Sequence, residues 1–271
     1  MGKFNYSDGI AVLELIAYLP AFFVAAFLVF RHGIRTSGGF IFLVIFGLVR
    51  IVGAVCELVT INYPSKGVYI AAAICSSVGL SPLLMTCSGM LSRANESMPR
   101  PTIPPLPLRL FRIVTMVALA LTVTGISWHM KGDTIEPNVE VKVGMILYLF
   151  CWFVLIAGLG LLFLQRSTIA KGENRNLAAV GVSAPFLLVR TVYAMLVWFL
   201  DNSTFSPVGG NNTVKLVLSV LDEIVVVFTC LAIGFTLHIR ENERKEWKEV
   251  PDQEVEAREL LAQQSQYAPY R

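Results

Sequence analysis

Residues 177–200 read LAAVGVSAPFLLVRTVYAMLVWFL, and residues 214–238 read VKLVLSVLDEIVVVFTCLAIGFTLH. Each run is long enough to cross a bilayer, which takes about 20 apolar residues. Each carries charge in its middle: Arg190 in the first, Asp222 and Glu223 in the second. A charge at that depth costs roughly 2.5–3.5 kcal/mol on insertion scales, so it turns toward the protein interior and seeks a partner. Arg190 is therefore expected to pair with Asp222 or Glu223. The depths agree, with Arg190 roughly 15 Å and Asp222 roughly 12 Å from the same end of their runs.

Five further runs have the same character, giving seven spans: 10–30, 40–60, 68–91, 108–128, 143–164, 177–200 and 214–238. The predicted fold is an all-α, polytopic seven-helix bundle over residues 10–239, with a short N-terminus (1–9) and a charged tail (240–271). Composition agrees. Of the 271 residues 55% are hydrophobic and 15% charged, whereas soluble domains average near 25% charged. A net charge of +3 gives no sign of a nucleic-acid partner.

Charge asymmetry sets the expected orientation. Fifteen Lys and Arg residues fall in one set of connections and the tail, among them Arg31, Arg93, Arg109, Arg112, Arg166 and Arg175. The other side has five: Lys3, Lys66, Lys131, Lys142 and Lys215. The basic side is cytoplasmic, so the N-terminus is expected outside and the C-terminus inside. Tyr63, Tyr69, Trp128 and Trp198 fall at the expected outer ends, where amphipathic rings favour the headgroup layer. Outer sequons at Asn5, Asn202 and Asn211 make Asn202 and Asn211 candidate glycosylation sites. The Asn95 sequon falls on the inner side and should stay bare. No cleavable signal peptide is expected, because the first run is too long and no small-residue cleavage site comes after it.

Glu14, Arg50, Glu57, Arg190, Asp222 and Glu223 form a candidate intramembrane ionic cluster. Gly47, Arg50, Gly53 and Glu57 recur at spacings of three and four and share a helix face. A second face combines Ala72, Cys75 or Ser76, and Gly79. On the last two spans, Ser183, Arg190 and Tyr193 share a face, as do Ser219, Asp222 and Thr229. Pro20, Pro82 and Pro185 each remove a backbone hydrogen bond and favour a kink. Leu48-Val49-Arg50-Ile51-Val52 is echoed by Leu188-Val189-Arg190-Thr191-Val192, a weak internal repeat. Such a cluster either locks helix register or holds a polar ligand.

Enzymatic activity is not expected. The chain contains no nucleophile elbow, HExxH or P-loop, and its three histidines are scattered. Cys56, Cys75, Cys87, Cys151 and Cys230 all lie in apolar runs without metal-ligand spacing, so they read as packing residues. No metal or other cofactor is expected. The proline-rich 99–107 connection reads as a stiff strut, and Pro104–Arg109 also fits a PxxPx(K/R) docking pattern.

The stretches Gly9–Leu15, Phe30-Arg31-His32-Gly33, Leu48–Ala54 and Gly79–Leu84 resemble a fungal family of seven-span membrane proteins labelled "family c-like", over roughly residues 8–240. That resemblance implies a fungal source and no assigned activity. Leu188–Tyr193 is more distantly similar to fungal lipid-translocating exporter-like proteins of the aminocholesterol-resistance family. That family's acidic residue soon after the span-six arginine is missing here, where Trp198 and Phe199 stand. The expected function is binding or transport of a lipid or small amphipathic molecule in a plasma or endomembrane, with membrane lipids as surroundings. A seven-helix receptor and a purely structural scaffold are the alternatives. Against a receptor, span three ends Met90-Leu91-Ser92-Arg93 without an acidic-Arg-aromatic triplet, and span seven lacks Asn-Pro-x-x-Tyr.

Overall fold

The computed structural model describes residues 6–32, 39–61, 63, 65–98, 101–128, 130–131, 134–135, 139–167, 169, 172–200 and 212–237. The helices are α1 (Tyr6–His32), α2 (Phe40–Val59), α3 (Lys66–Val78), α4 (Leu80–Glu96), α5 (Pro105–Trp128), α6 (Val139–Leu164), α7 (Asn174–Phe199), α8 (Asn212–Lys215) and α9 (Asp222–Thr236). A π-helical turn, Leu216–Leu221, joins α8 to α9. Among the described residues the extended structure is one two-residue antiparallel pair, Met130–Lys131 (β1) against Thr134–Ile135 (β2). Seven helical stretches are long and apolar enough to cross a membrane. They coincide with the seven expected spans, and most begin a few residues earlier. The tail and the sequons at Asn5, Asn202 and Asn211 lie outside the described residues.

The polarity is the reverse of a water-soluble protein's. Ile16, Phe23, Phe30, Ile113, Phe150 and Phe153 are more than half exposed, while Glu14, Arg50, Arg190 and Glu223 are buried. Water would penalise so large an apolar surface, whereas hydrocarbon does not.

Hydropathy makes Val68–Leu91 one more span; the structure interrupts its helical hydrogen bonding at Gly79, whose backbone stays α-helical, and gives its second half a special place. Every residue of α4 from Leu80 to Asn95 is buried, and α4 packs against α2, α5, α6 and α7. Helix α4 can be polar because protein surrounds it. It carries Ser81, Thr86, Ser88, Ser92, Arg93 and Asn95, all buried. The break lies just before Pro82, which cannot donate a backbone hydrogen bond. By contrast, α1 and α7 run through Pro20 and Pro185 without interruption.

Small residues let the helices approach. A methyl group at Gly47 would stand 3.2 Å from Phe22 of α1, and one at Gly53 would stand 2.8 Å from Cys75 of α3. The α2 stripe thus serves two neighbours rather than one. Gly144 meets Thr122 and the Ala118 carbonyl in the same way, bringing α6 onto α5. Gly39 opens α2 at φ 133°, a conformation open to glycine, with its absent side chain directed at the Thr86 carbonyl.

Three expectations need correction. Trp198, one residue from the end of α7, packs into the core and does not project outward, while Trp128 and Tyr63 are exposed. The side chain of Tyr69 lies outside the described residues. The PxxP stretch is not a free extended motif, because α5 begins at Pro105. The first turn of a helix accepts proline, having no need of its N–H. Arg93 is not a loop cation. It is 2% exposed and pairs with Glu173 at the start of α7 through its Nε, 3.1 Å from each carboxylate oxygen.

Candidate functional site

Four helices supply the charged core. Glu14 and Tyr18 come from α1, one turn apart, and Arg50 comes from α2. Arg190 comes from α7, and Glu223 from the first turn of α9. Glu223 is the hub. Its Oε2 accepts a hydrogen bond from Arg50 Nη2, and its Oε1 accepts one from Arg190 Nε at 2.9 Å. The Tyr18 hydroxyl donates to Oε2 at 3.5 Å. Arg50 also reaches Glu14 through Nη1, at 3.5 Å. Arg190 Nη2 donates to the Ser76 carbonyl at 3.1 Å, just before the helix break. Aromatic faces complete the guanidinium surroundings: Phe46 and Tyr18 beside Arg50, and Tyr193 beside Arg190.

The expected pairing of Arg190 with an acid of the last span is present, and Glu223 is the partner. Asp222 is half-buried and stands outside this network, with one buried carboxylate oxygen, Oδ2, unbonded among the described residues. The face of the last span is set one residue differently from the expected Ser219, Asp222 and Thr229. Its buried stripe is Ser219, Glu223, Val226, Cys230 and Gly234. Spacings of three and four both keep residues on one helix face, so sequence periodicity does not separate the two acids. The two arginines of the sequence echo, Arg50 and Arg190, meet on opposite oxygens of the same carboxylate.

Glu57 is separate from the hub. It pairs with Lys215, 3.4 Å from the ammonium, near the end of the bundle where α1 begins. Between this pair and Arg50 lies a narrow cleft lined by Glu14, Arg50, Glu57, Ser76 and Lys215 among others. It has room for about one water molecule. Arg50 keeps one buried donor, Nε, without a hydrogen-bond partner among the described residues. Both signs of charge thus line the cleft, with bonding capacity to spare.

Sequence reasoning misses four contributors. Tyr18 reads as an ordinary aromatic residue in an apolar run. Ser76 contributes only its carbonyl. Lys215 reads only as one of the five basic residues of the outer side. Gly79 reads as part of a small-residue stripe, but its role is specific. A methyl group there would lie 2.9 Å from Glu223 Oε1 and 3.0 Å from Arg50 Nη2. Glycine leaves the volume in which the ion pair forms.

A second buried polar group, Arg93, Glu173 and Asn176, joins α4 to the start of α7 at the opposite end of the bundle. Beside it, the Asn95 side chain donates to the Ile103 carbonyl at 2.8 Å and accepts from its N–H at 2.9 Å. Asn95 is 2% exposed.

Fold and site together define a seven-helix membrane protein built around a buried ion cluster. The chain belongs to the family described as a domain of unknown function (DUF7702), whose family model matches residues 4–240. No curated protein and no solved structure matches it.

Proposed function

We propose that this is a fungal multi-pass protein of the plasma membrane or an endomembrane that binds or moves a lipid or small amphipathic molecule. On this reading it is not an enzyme. The N-terminus faces outward, in keeping with the charge bias of the connections, so the Glu57–Lys215 end of the bundle is the outer end. The observation that carries the reading is the cleft beside Arg50, where buried ionisable groups meet an opening. Intramembrane ionisable residues mark ligand and ion pathways in many membrane proteins. The cleft is too narrow for an acyl chain. With room for about one water molecule as it stands, it would admit a polar head only once its rim side chains move, the apolar remainder staying in lipid alongside the helices. The distant similarity of Leu188–Tyr193 to lipid-translocating exporters points the same way.

Native mass spectrometry of the detergent-extracted protein, beside Glu14→Gln, tests this. Glu14 lines the cleft and, among the described residues, is held by a single 3.5 Å contact to Arg50, so the amide should leave the fold intact. The expected result is a retained lipid or amphiphile that is lost in a variant of unchanged melting temperature. A wild-type protein stripped of any adduct, even after incubation with total membrane lipid, would refute the reading.

A second reading has its own support. Glu223 is saturated by donors from three different helices, which is what a structural lock requires. If the cluster is only a lock, Glu14→Gln leaves any retained lipid in place.

A further inference from the structure

The Glu57–Lys215 pair differs from the other described ion pairs. Its side chains are 29% and 22% exposed, against 1–6% for the Arg50, Arg190, Glu14 and Glu223 pairs. Its contacts are long, at 3.4 and 3.5 Å. Such an exposed pair is weakly held, because water competes for both partners. The pair sits on the rim of the cleft, with Arg50 and Glu14 beyond it.

Lys215 is also the residue immediately before the π-helical turn Leu216–Leu221. A π turn closes its hydrogen bonds one residue later than an α turn, and such turns recur at functional sites. Relaxation to α geometry would rotate the segment before the turn by about 100° around the helix axis. Helix α9, on the C-terminal side of the turn, is fixed by Glu223, which both arginines hold. On the N-terminal side stands the four-residue α8, which carries Lys215. The mobile side of such a hinge is therefore the side bearing the ammonium.

We propose that Lys215 and Glu57 form a gate over the polar cleft, and that the π turn Leu216–Leu221 is its hinge. With the gate closed, the ammonium on Glu57 caps the path to Glu14 and Arg50. With the turn in α register, Lys215 leaves Glu57 and the path opens. The gate gains its purpose from the reading of the cleft as a binding site, but its test does not depend on that reading.

Cys75 supplies a native reporter. It is partly buried and lines the cleft, whereas Cys87 is fully buried in the core. The experiment measures the labelling rate of each by a membrane-impermeant cationic methanethiosulfonate, read peptide by peptide with all five cysteines in place. Glu57→Gln and Lys215→Met should each raise Cys75 labelling several-fold and leave Cys87 unlabelled. The charge-swapped pair, Glu57→Lys with Lys215→Glu, should return the rate toward wild type. Deleting Val217, half-exposed within the π turn, removes the extra residue, so an α turn fits with Lys215 still facing Glu57; placed in Glu57→Gln, the deletion should hold Cys75 labelling near the wild-type rate. An unmoved Cys75 rate in both single variants would overturn the gate, as would a Cys87 rate that rises in step. A Glu57→Gln protein that labels as fast with the deletion as without it would overturn the hinge. Labelling reports access whether or not a ligand binds, so a failed gate is distinguishable from a failed binding site.

Discussion

Glu223 carries more of this structure than any other side chain. Two guanidiniums share its carboxylate in a setting where each charge alone would be costly to bury. Replacing it with Gln removes the ion-pair partner of Arg190 and leaves Arg50 with the 3.5 Å contact to Glu14, and should destabilise the bundle by about 3–5 kcal/mol, the usual cost of breaking a buried pair. Asp222→Asn should change stability by no more than about 1 kcal/mol, since Asp222 stands outside the network. Thermal unfolding in detergent separates the two, and equal losses would contradict the assignment of Glu223 as hub. Gly79→Ala should cost about 1–3 kcal/mol by overpacking, read in the same melt. Gly67→Ala serves as control, because a methyl group there meets nothing within 4 Å. From sequence, the need of Arg190 for an acid in the last span was legible, since cost at depth demands a partner. Tyr18 and Gly79 were not legible, because nothing in an apolar run announces a hydroxyl that finds a carboxylate or a methyl group that must be absent.

Among the elements, α4 departs furthest from its sequence. Hydropathy averaged over a window places a span but does not report that half of it is enclosed by four other helices. The share of residues buried inside the protein is 53% for this span and 22–39% for the other six. Pro82 was the available signal for the break at Gly79, yet Pro20 and Pro185 gave the same signal where no break occurs. The π turn has no sequence signature, since it depends on where Glu223 and Lys215 are each held. The end of α4 offers a direct test. Asn95→Ala removes both hydrogen bonds to Ile103 and leaves a buried N–H and carbonyl unpaired, at a cost of about 1–3 kcal/mol. The expected outcome is a lower melting temperature with faster proteolysis near residues 99–104. Wild-type cleavage rates would show that the Asn95 clamp does not hold this connection.

For the whole molecule, seven spans were countable from sequence because hydrocarbon thickness imposes one length on all of them. Their mutual arrangement was not countable in this way, since packing partners depend on small residues and polar contacts distributed over several helices. Orientation rests on the charge bias of the connections. An epitope at the N-terminus should be reachable by antibody on sealed, right-side-out membranes, and one at the C-terminus only after permeabilisation. The opposite pattern would invert the bundle and put the Lys215 end of the cleft inside.

The meeting of Arg50 and Arg190 on Glu223 also has a consequence for biosynthesis. Chains emerge from the ribosome N-terminus first, so the residue that neutralises both arginines arrives with the last span. Until then Arg50 has only Glu14 to lean on, and Arg190 has no acid at its own depth. Six spans would stand in the membrane with an unfinished core. A nascent protein stalled before α9 would therefore offer quality-control machinery a clear mark of incompleteness: an arginine waiting in the lipid for the end of its own message.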